Sequence, residues 1–318
     1  MKMNIVGLSV AVAGALVTPS KACDLCAIYS AVHAQGASGK GWFGGAAEQF
    51  THFGTMQENG QRVPNEIGQR MDSFVTQVFA GYNFNDKIGL QFNLPVIFRS
   101  FERPRGTVID HGTESGLGDI SLLGTYRLYH KMEDDFSFNW TLLGGIKLPT
   151  GNSNRLGEPD VPSAGSLTQD SGIAGHDLAL GSGSFDGIIG TGVSVRWKRS
   201  FLTANTQYAI RTKGDFNHQY ANDLTWSGGP GVYLVLKDKY TISLQAVISG
   251  EYKGKDSFGG VPDGDSAGTI VFVGPQINFT WSDRLALSLG ADLPVSIYNS
   301  GLQTVPDYRV RAAFNWRF

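Results

Sequence analysis

Read at period two, the last stretch of the chain sorts into two faces. Between Pro306 and Phe318, Tyr308, Val310, Ala312, Phe314, Trp316 and Phe318 share one side. Arg309, Arg311, Ala313, Asn315 and Arg317 share the other. Successive side chains of a strand point in opposite directions, so the alternation predicts a strand set between two different environments. Three guanidinium groups keep their charge and do not enter a packed core unpaired. A soluble sandwich would bury the apolar face and leave the arginines in bulk water. A membrane barrel turns the apolar face to lipid and the arginines to a wet interior.

The same alternation runs through the chain from Gly41 onward. It predicts strands over residues 41–54, 72–84, 87–101, 118–130, 136–149, 184–197, 200–212, 224–236, 240–253, 269–281, 284–298 and 306–318. Each is long enough to cross a bilayer at a tilt. Tight polar turns at 85–86, 131–135, 198–199, 237–239 and 282–283 alternate with long polar loops at 55–71, 102–117, 150–183, 213–223, 254–268 and 299–305. A closed antiparallel barrel with periplasmic turns and extracellular loops produces that asymmetry and an even strand number. The expectation is therefore an all-β transmembrane barrel of about 12 strands with both termini in the periplasm. The first strand is the poorest, because Trp42, Phe43, Phe50 and Phe53 fit neither phase cleanly.

Composition agrees with this fold. Charged residues make up 17% of the 318-residue chain, below the roughly 25% of soluble domains, and glycine is abundant at 42. No apolar run of about 18 residues lies outside the amino terminus, so a helical span is not expected there. A net charge of -2 gives no case for nucleic acid as a partner. Lys2, the apolar stretch 5–17 and Ser20-Lys21-Ala22 read as a secretory signal, residues 1–22, cleaved after Ala22. Residues 23–40 then form a periplasmic or plug segment and residues 41–318 the barrel, placed in the bacterial outer membrane. The expected partners are outer-membrane lipid, the barrel-assembly machinery and a small-molecule solute.

The inward face supplies the candidate chemistry. Arg99, Arg127, Lys147, Arg211, Gln245, Asp292, Arg309 and Arg311 are expected to line a channel, with basic groups exceeding acidic ones. One reading is a positive field favouring anionic or carboxylate-bearing solutes. The other is a ladder of ion pairs bracing a narrow barrel with no solute preference. Arg309 and Arg311 have Asp292 as their nearest inward acid, and one carboxylate does not neutralise two guanidinium groups. Leu123, Leu143, Ile188, Tyr233 and Phe272 also fall on the inward side, as an amphipathic path or as packing beneath a plug.

Both cysteines lie in Cys23-Asp24-Leu25-Cys26, with His33 nearby. In an oxidising compartment they read first as a disulfide. With His33 they read as a zinc or copper site, and as free thiols or a lipid anchor on Cys23 otherwise. Ala27 stands where attached haem needs histidine, and no cofactor is expected. No nucleophile motif, carboxylate pair or phosphate loop argues for an enzyme. His111, His130, His176 and His218 read as solvated surface residues. A passive channel is the expected function, with a non-conducting structural or metal-associated scaffold as the alternative.

Three glycine-rich stretches carry a resemblance. They are Gly116-Leu117-Gly118-Asp119-Ile120, Gly145-Ile146-Lys147-Leu148-Pro149-Thr150-Gly151 and Gly181-Ser182-Gly183-Ser184-Phe185-Asp186. With the barrel pattern, the chain from Gly41 to Phe318 resembles the outer-membrane transporter family of the phenol-degradation MetA pathway. That resemblance implies a barrel that passes small aromatic or apolar compounds. The terminal Phe314, Trp316 and Phe318 likewise resemble the carboxy-terminal signature that the assembly machinery reads in bacterial outer-membrane barrels. The glycines by themselves read as structural, at strand ends that need bulges or close approach.

Overall fold

A computed structural model describes residues 40–282 and 284–318. The expected signal peptide and plug segment, up to residue 39, lie outside the described residues, and Cys23, Cys26 and His33 with them. Twelve long strands form the wall: β1 (Gly41–Glu58), β2 (Arg70–Asn83), β3 (Ile88–Arg105), β4 (Ser121–Met132), β5 (Phe136–Lys147), β6 (Asp186–Trp197), β7 (Ser200–Ile210), β8 (Asp223–Leu236), β9 (Tyr240–Lys253), β10 (Gly268–Trp281), β11 (Leu285–Asn299) and β12 (Leu302–Arg317). Each pairs antiparallel with its neighbours in the chain, and β12 returns to pair with β1 from Phe43↔Arg317 to Glu58↔Leu302. The sheet is thereby closed, and no long strand leaves its backbone groups unpaired in hydrocarbon.

The faces follow the alternation. Ile88, Leu90, Phe92, Val96 and Phe98 of β3 are exposed, while Gly89, Gln91, Asn93, Ile97 and Arg99 between them are buried inside. Phe314 and Phe318 at the carboxy terminus are exposed on the outer wall, with Trp316 half-buried between them. In β1 the inward set is Phe43, Ala47, Gln49, Thr51 and Phe53, and the outward set includes Trp42, Glu48, Phe50 and His52. Its hydrophobic pattern is blurred because Phe43 and Phe53 face inward against buried clusters while two polar groups face outward with partners. Glu48 accepts the Thr76 hydroxyl, and His52 Nδ1 lies 2.6 Å from Asp72 Oδ1.

The loop expectations are corrected in part: residues 299–305 close as a tight turn at Ser300-Gly301, because β11 runs to Asn299 and β12 begins at Leu302. Residues 102–117 are not a loop: β3 continues to Arg105 and the chain returns as a strand, Val108–Leu117, paired from Arg105↔Val108 to Val96↔Leu117. The hairpin rises beyond the wall at the long-loop end, extracellular in a barrel of this kind. Surrounded by water there, it needs no apolar face, so its polar sequence concealed it.

Candidate functional site

The long connection between β5 and β6 does not stay outside. Its later part, residues 171–184, folds into the lumen and fills the extracellular half. Ile173 and Leu178 pack against Met71 and Phe101, with Phe53 beside them. Leu180 reaches further, into a cluster with Phe43, Ala47, Val75, Phe79 and Ile97. The segment is polar at its backbone, and the wall satisfies it. Arg99 Nη1 donates to the carbonyls of Asp177 at 2.6 Å and Ala179 at 2.9 Å, and Arg103 Nη1 donates to that of Ile173 at 3.1 Å. Gln69 donates to the Asp170 carbonyl and accepts the Gly172 amide. Buried backbone groups cost free energy unless paired, so these wall side chains are what lets a loop lie in the barrel.

The entry of the segment is fixed by one carboxylate, Asp119. It accepts the amides of Thr150 at 3.1 Å, Gly151 at 2.9 Å and Ser182 at 2.9 Å, and the Ser182 hydroxyl at 2.7 Å. Lys147 Nζ lies 2.5 Å from its Oδ2. The three glycine-rich stretches of the sequence thus converge on a single buried group. The glycines are there for contact: a Cβ on Gly181 would lie 2.5 Å from the Gly151 carbonyl carbon and oxygen.

From Asp119 a ladder of buried charges crosses the wall strand by strand. Lys147 bridges Asp119 to Asp186 at 2.9 Å, and Arg211 bridges Asp186 at 3.0 Å to Asp223 at 2.7 Å. Asp223 is in register with Lys253, which pairs with Asp256 at 2.8 Å. On the opposite wall Asp292 binds both arginines of β12. Arg309 donates Nε and Nη2 to its Oδ2 at 3.0 Å each, and Arg311 donates Nε at 2.6 Å and Nη2 at 2.9 Å. Arg309 also lies 4.1 Å above the Phe272 ring and reaches Ser249. Two cations against one anion leave this trio with one formal positive charge.

Arg99, Lys147, Arg211, Asp292, Arg309 and Arg311 therefore all face inward, each engaged with a partner. Gln245 is inward as well, donating to the Thr203 hydroxyl and the Gly229 carbonyl. Arg127 sits lower, half-buried near the short-turn end. The lumen below the inserted segment differs in character. Its inward positions include Thr125, Thr141, Ser194, Thr203, Asn205, Thr241, Asn278 and Ser288, all half-exposed within the closed barrel. A cavity of about 50 Å³ there is lined by Thr125, Thr141, Leu143, Thr191, Gly192, Asn205, Thr206 and Gln207. Inward charges of this half that are half-exposed, among the described residues, include Arg127, Arg196 and Arg317. Above the inserted segment a larger cavity of about 360 Å³ holds Arg105, Glu114, Arg155 and Glu158, with Leu178 and Leu180 on its floor.

Two histidines depart from the sequence reading. His218 is buried at 6% exposure, and His176, on the helical turn Gly175–Leu178 of the inserted segment, stacks on it with ring centroids 6.1 Å apart. Sequence reasoning missed the inserted segment. Its signal was the apolar cluster Ile173, Leu178, Ala179 and Leu180 in an otherwise polar loop.

Neither a protein-family model nor a curated protein sequence matches the chain. Solved structures do match in fold. An outer-membrane channel from Pseudomonas putida F1 superposes with a TM-score of 0.61 at 16% identity, covering 88% of this chain and 96% of that chain. The β-domain of the Bordetella autotransporter Brka gives a TM-score of 0.46 at 9% identity, over 87% of this chain and 99% of that one. The likeness is one of architecture: a closed antiparallel barrel of the outer-membrane type.

Proposed function

We propose that the chain is an outer-membrane channel for passive passage of small solutes, with residues 171–184 as the constriction. The observation that carries this reading is the lining beneath the constriction. Short hydroxyl and amide side chains there are half-exposed inside a closed wall, and Asn139 Oδ1 and Gln207 Oε1 find no partner within the protein. Buried polar groups are almost always hydrogen-bonded, so this lining suits a column of water. The constriction is held by hydrogen bonds to Arg99, Arg103 and Gln69, which can be exchanged for water without breaking a covalent bond.

Solute class follows from charge. The half-exposed arginines of the periplasmic half support a preference for anions, carboxylate-bearing compounds included. The resemblance to the MetA-pathway transporters adds small aromatic compounds, and an aromatic carboxylate satisfies both arguments. The ion-pair ladder favours a second reading, a braced scaffold that conducts nothing. Planar-bilayer recording separates the two. Wild-type protein is expected to show small steps, and a variant lacking residues 172–179 larger ones; silence from both would sink the channel reading and leave the scaffold.

A further inference from the structure

The inserted segment meets the extracellular loops at several places, Gln69 and the Thr304 amide at Gly172 and the Asp215 amide at Ser182 among them, and one of these contacts joins two histidines. His176 stacks on His218, the two rings inclined by 21°. The Tyr220 hydroxyl donates to the His176 carbonyl at 3.0 Å, and Tyr220 packs with Leu156 and Ala179. His218 is the unusual member. It is buried, and neither ring nitrogen makes a hydrogen bond within the protein. Among the described residues, Asp256, His176, Lys253 and Asp263 act on it, and the Tyr220 ring packs against it at 4.7 Å. Asp256 Oδ2 is 3.8 Å from His218 Nε2, but Lys253 already holds that oxygen at 2.8 Å, and Ala221 donates its amide to the other. Asp263 and Lys253 act at longer range, and Asp177 sits 3.3 Å from His176 Nε2 on the far side of the stack.

Resting on the channel reading, we propose that the stacked His176–His218 pair is an acid-sensitive latch that releases the inserted segment and widens the channel when the outside becomes acidic. A neutral imidazole stacks in this site without cost, whereas a charged His218 ring is penalised in a poorly hydrated site where neither of its nitrogens has a hydrogen-bond partner. Burial, the largest influence on His218, depresses its pKa to about 4, outweighing Asp256. Release returns the ring to water and to an ordinary value near ~6.5. The latched state therefore binds fewer protons than the released state between these values. The latch is at full strength above about pH 6.5 and weakens as pH falls toward 4. For His218 alone, that difference multiplies the released-to-latched ratio about 30-fold between pH 7.5 and pH 5.

The test is bilayer recording of wild type, His218→Phe and His176→Phe at pH 7.5 and pH 5. Heat-modifiable gel mobility first confirms that each is folded. Wild type is expected to gain open probability by tenfold or more at pH 5, His176→Phe, which leaves His218 buried under an apolar ring, to keep most of that gain, and His218→Phe to gain less than twofold. An equal acid response in wild type and His218→Phe, or none in wild type, would overturn the latch while leaving the channel intact. Hydrogen exchange of residues 171–184 gives a readout independent of conductance. If even the variant lacking residues 172–179 is silent, the channel reading fails, and the latch then stands or falls on loss of amide protection at pH 5 in wild type but not in His218→Phe.

Discussion

In the extracellular half of the lumen the inward side chains are long, charged and buried; in the periplasmic half, away from the buried Phe43, Phe79, Asn83 and Gln91 of β1 to β3, they are short, mostly neutral and half-exposed. Arg99, Lys147, Asp186 and Asp223 belong to the first set, Thr125, Thr141, Asn205 and Ser288 to the second. The difference is the inserted segment. Where protein displaces water, a polar wall must be satisfied by protein, which takes full charges in closed pairs at low local dielectric. Where water remains, hydroxyls and amides suffice. The same barrel is thus braced at one end and wet at the other.

The strongest way to break this comparison is Asp119→Ala. It strips the acceptor from Lys147, Ser182, Thr150 and Gly151 and frees the neck of the inserted segment. Removing one member of a buried, hydrogen-bonded charge network costs about 3–5 kcal/mol. Urea unfolding in detergent micelles should show a loss of that size, with new protease cleavage in residues 150–184. A loss under about 1 kcal/mol would mean that the site is solvated.

Next comes a charge placed on the outer wall. Leu289 is 55% exposed there, and Leu289→Arg should cost about 2–4 kcal/mol if it lies near the bilayer midplane. The adjacent Ser288 faces the wet lumen, and Ser288→Arg should fold. Equal behaviour of the two on a heat-modifiability gel would reverse the assignment of faces.

Inside the barrel, the contrast between halves is sharpened by Ser73→Arg. Ser73 is fully buried, 3.4 Å from Arg99 Nε, so a second guanidinium meets both crowding and like charge. A loss of about 1–3 kcal/mol is expected there, against less than about 0.5 kcal/mol for Ser288→Arg. Similar losses would mean that the two halves are equally hydrated.

The smallest effect concerns selectivity. Arg309 and Arg311 are poor positions for that test, because removing both leaves Asp292 buried without its donors. Arg127→Ala with Arg317→Ala should change stability by under about 1 kcal/mol yet move the reversal potential in a salt gradient toward cations. A wild-type pore that already prefers potassium over chloride would remove the anion argument altogether.

What the sequence determined by itself was the wall. Strand number, the alternation of short and long links up to β11 and the inward or outward sense of β2 to β12 depend on neighbours two residues apart, and period two records that directly. β1 resisted because Phe43 and Phe53 face inward while Glu48 and His52 face outward, each of the latter satisfied by a partner on the adjacent strand β2 that no local pattern shows. The hairpin 102–117 was hidden because a strand bathed in water carries no hydrophobic alternation. Only tertiary structure decided how the lumen is filled. Asp119 meets Ser182 across 63 residues, and Arg99 meets Ala179 across 80. Those contacts depend on strand register and barrel closure, which place residues distant in sequence at one height. Whether an inward arginine lines water or braces a loop is settled by that placement, since the residue type is the same in both cases.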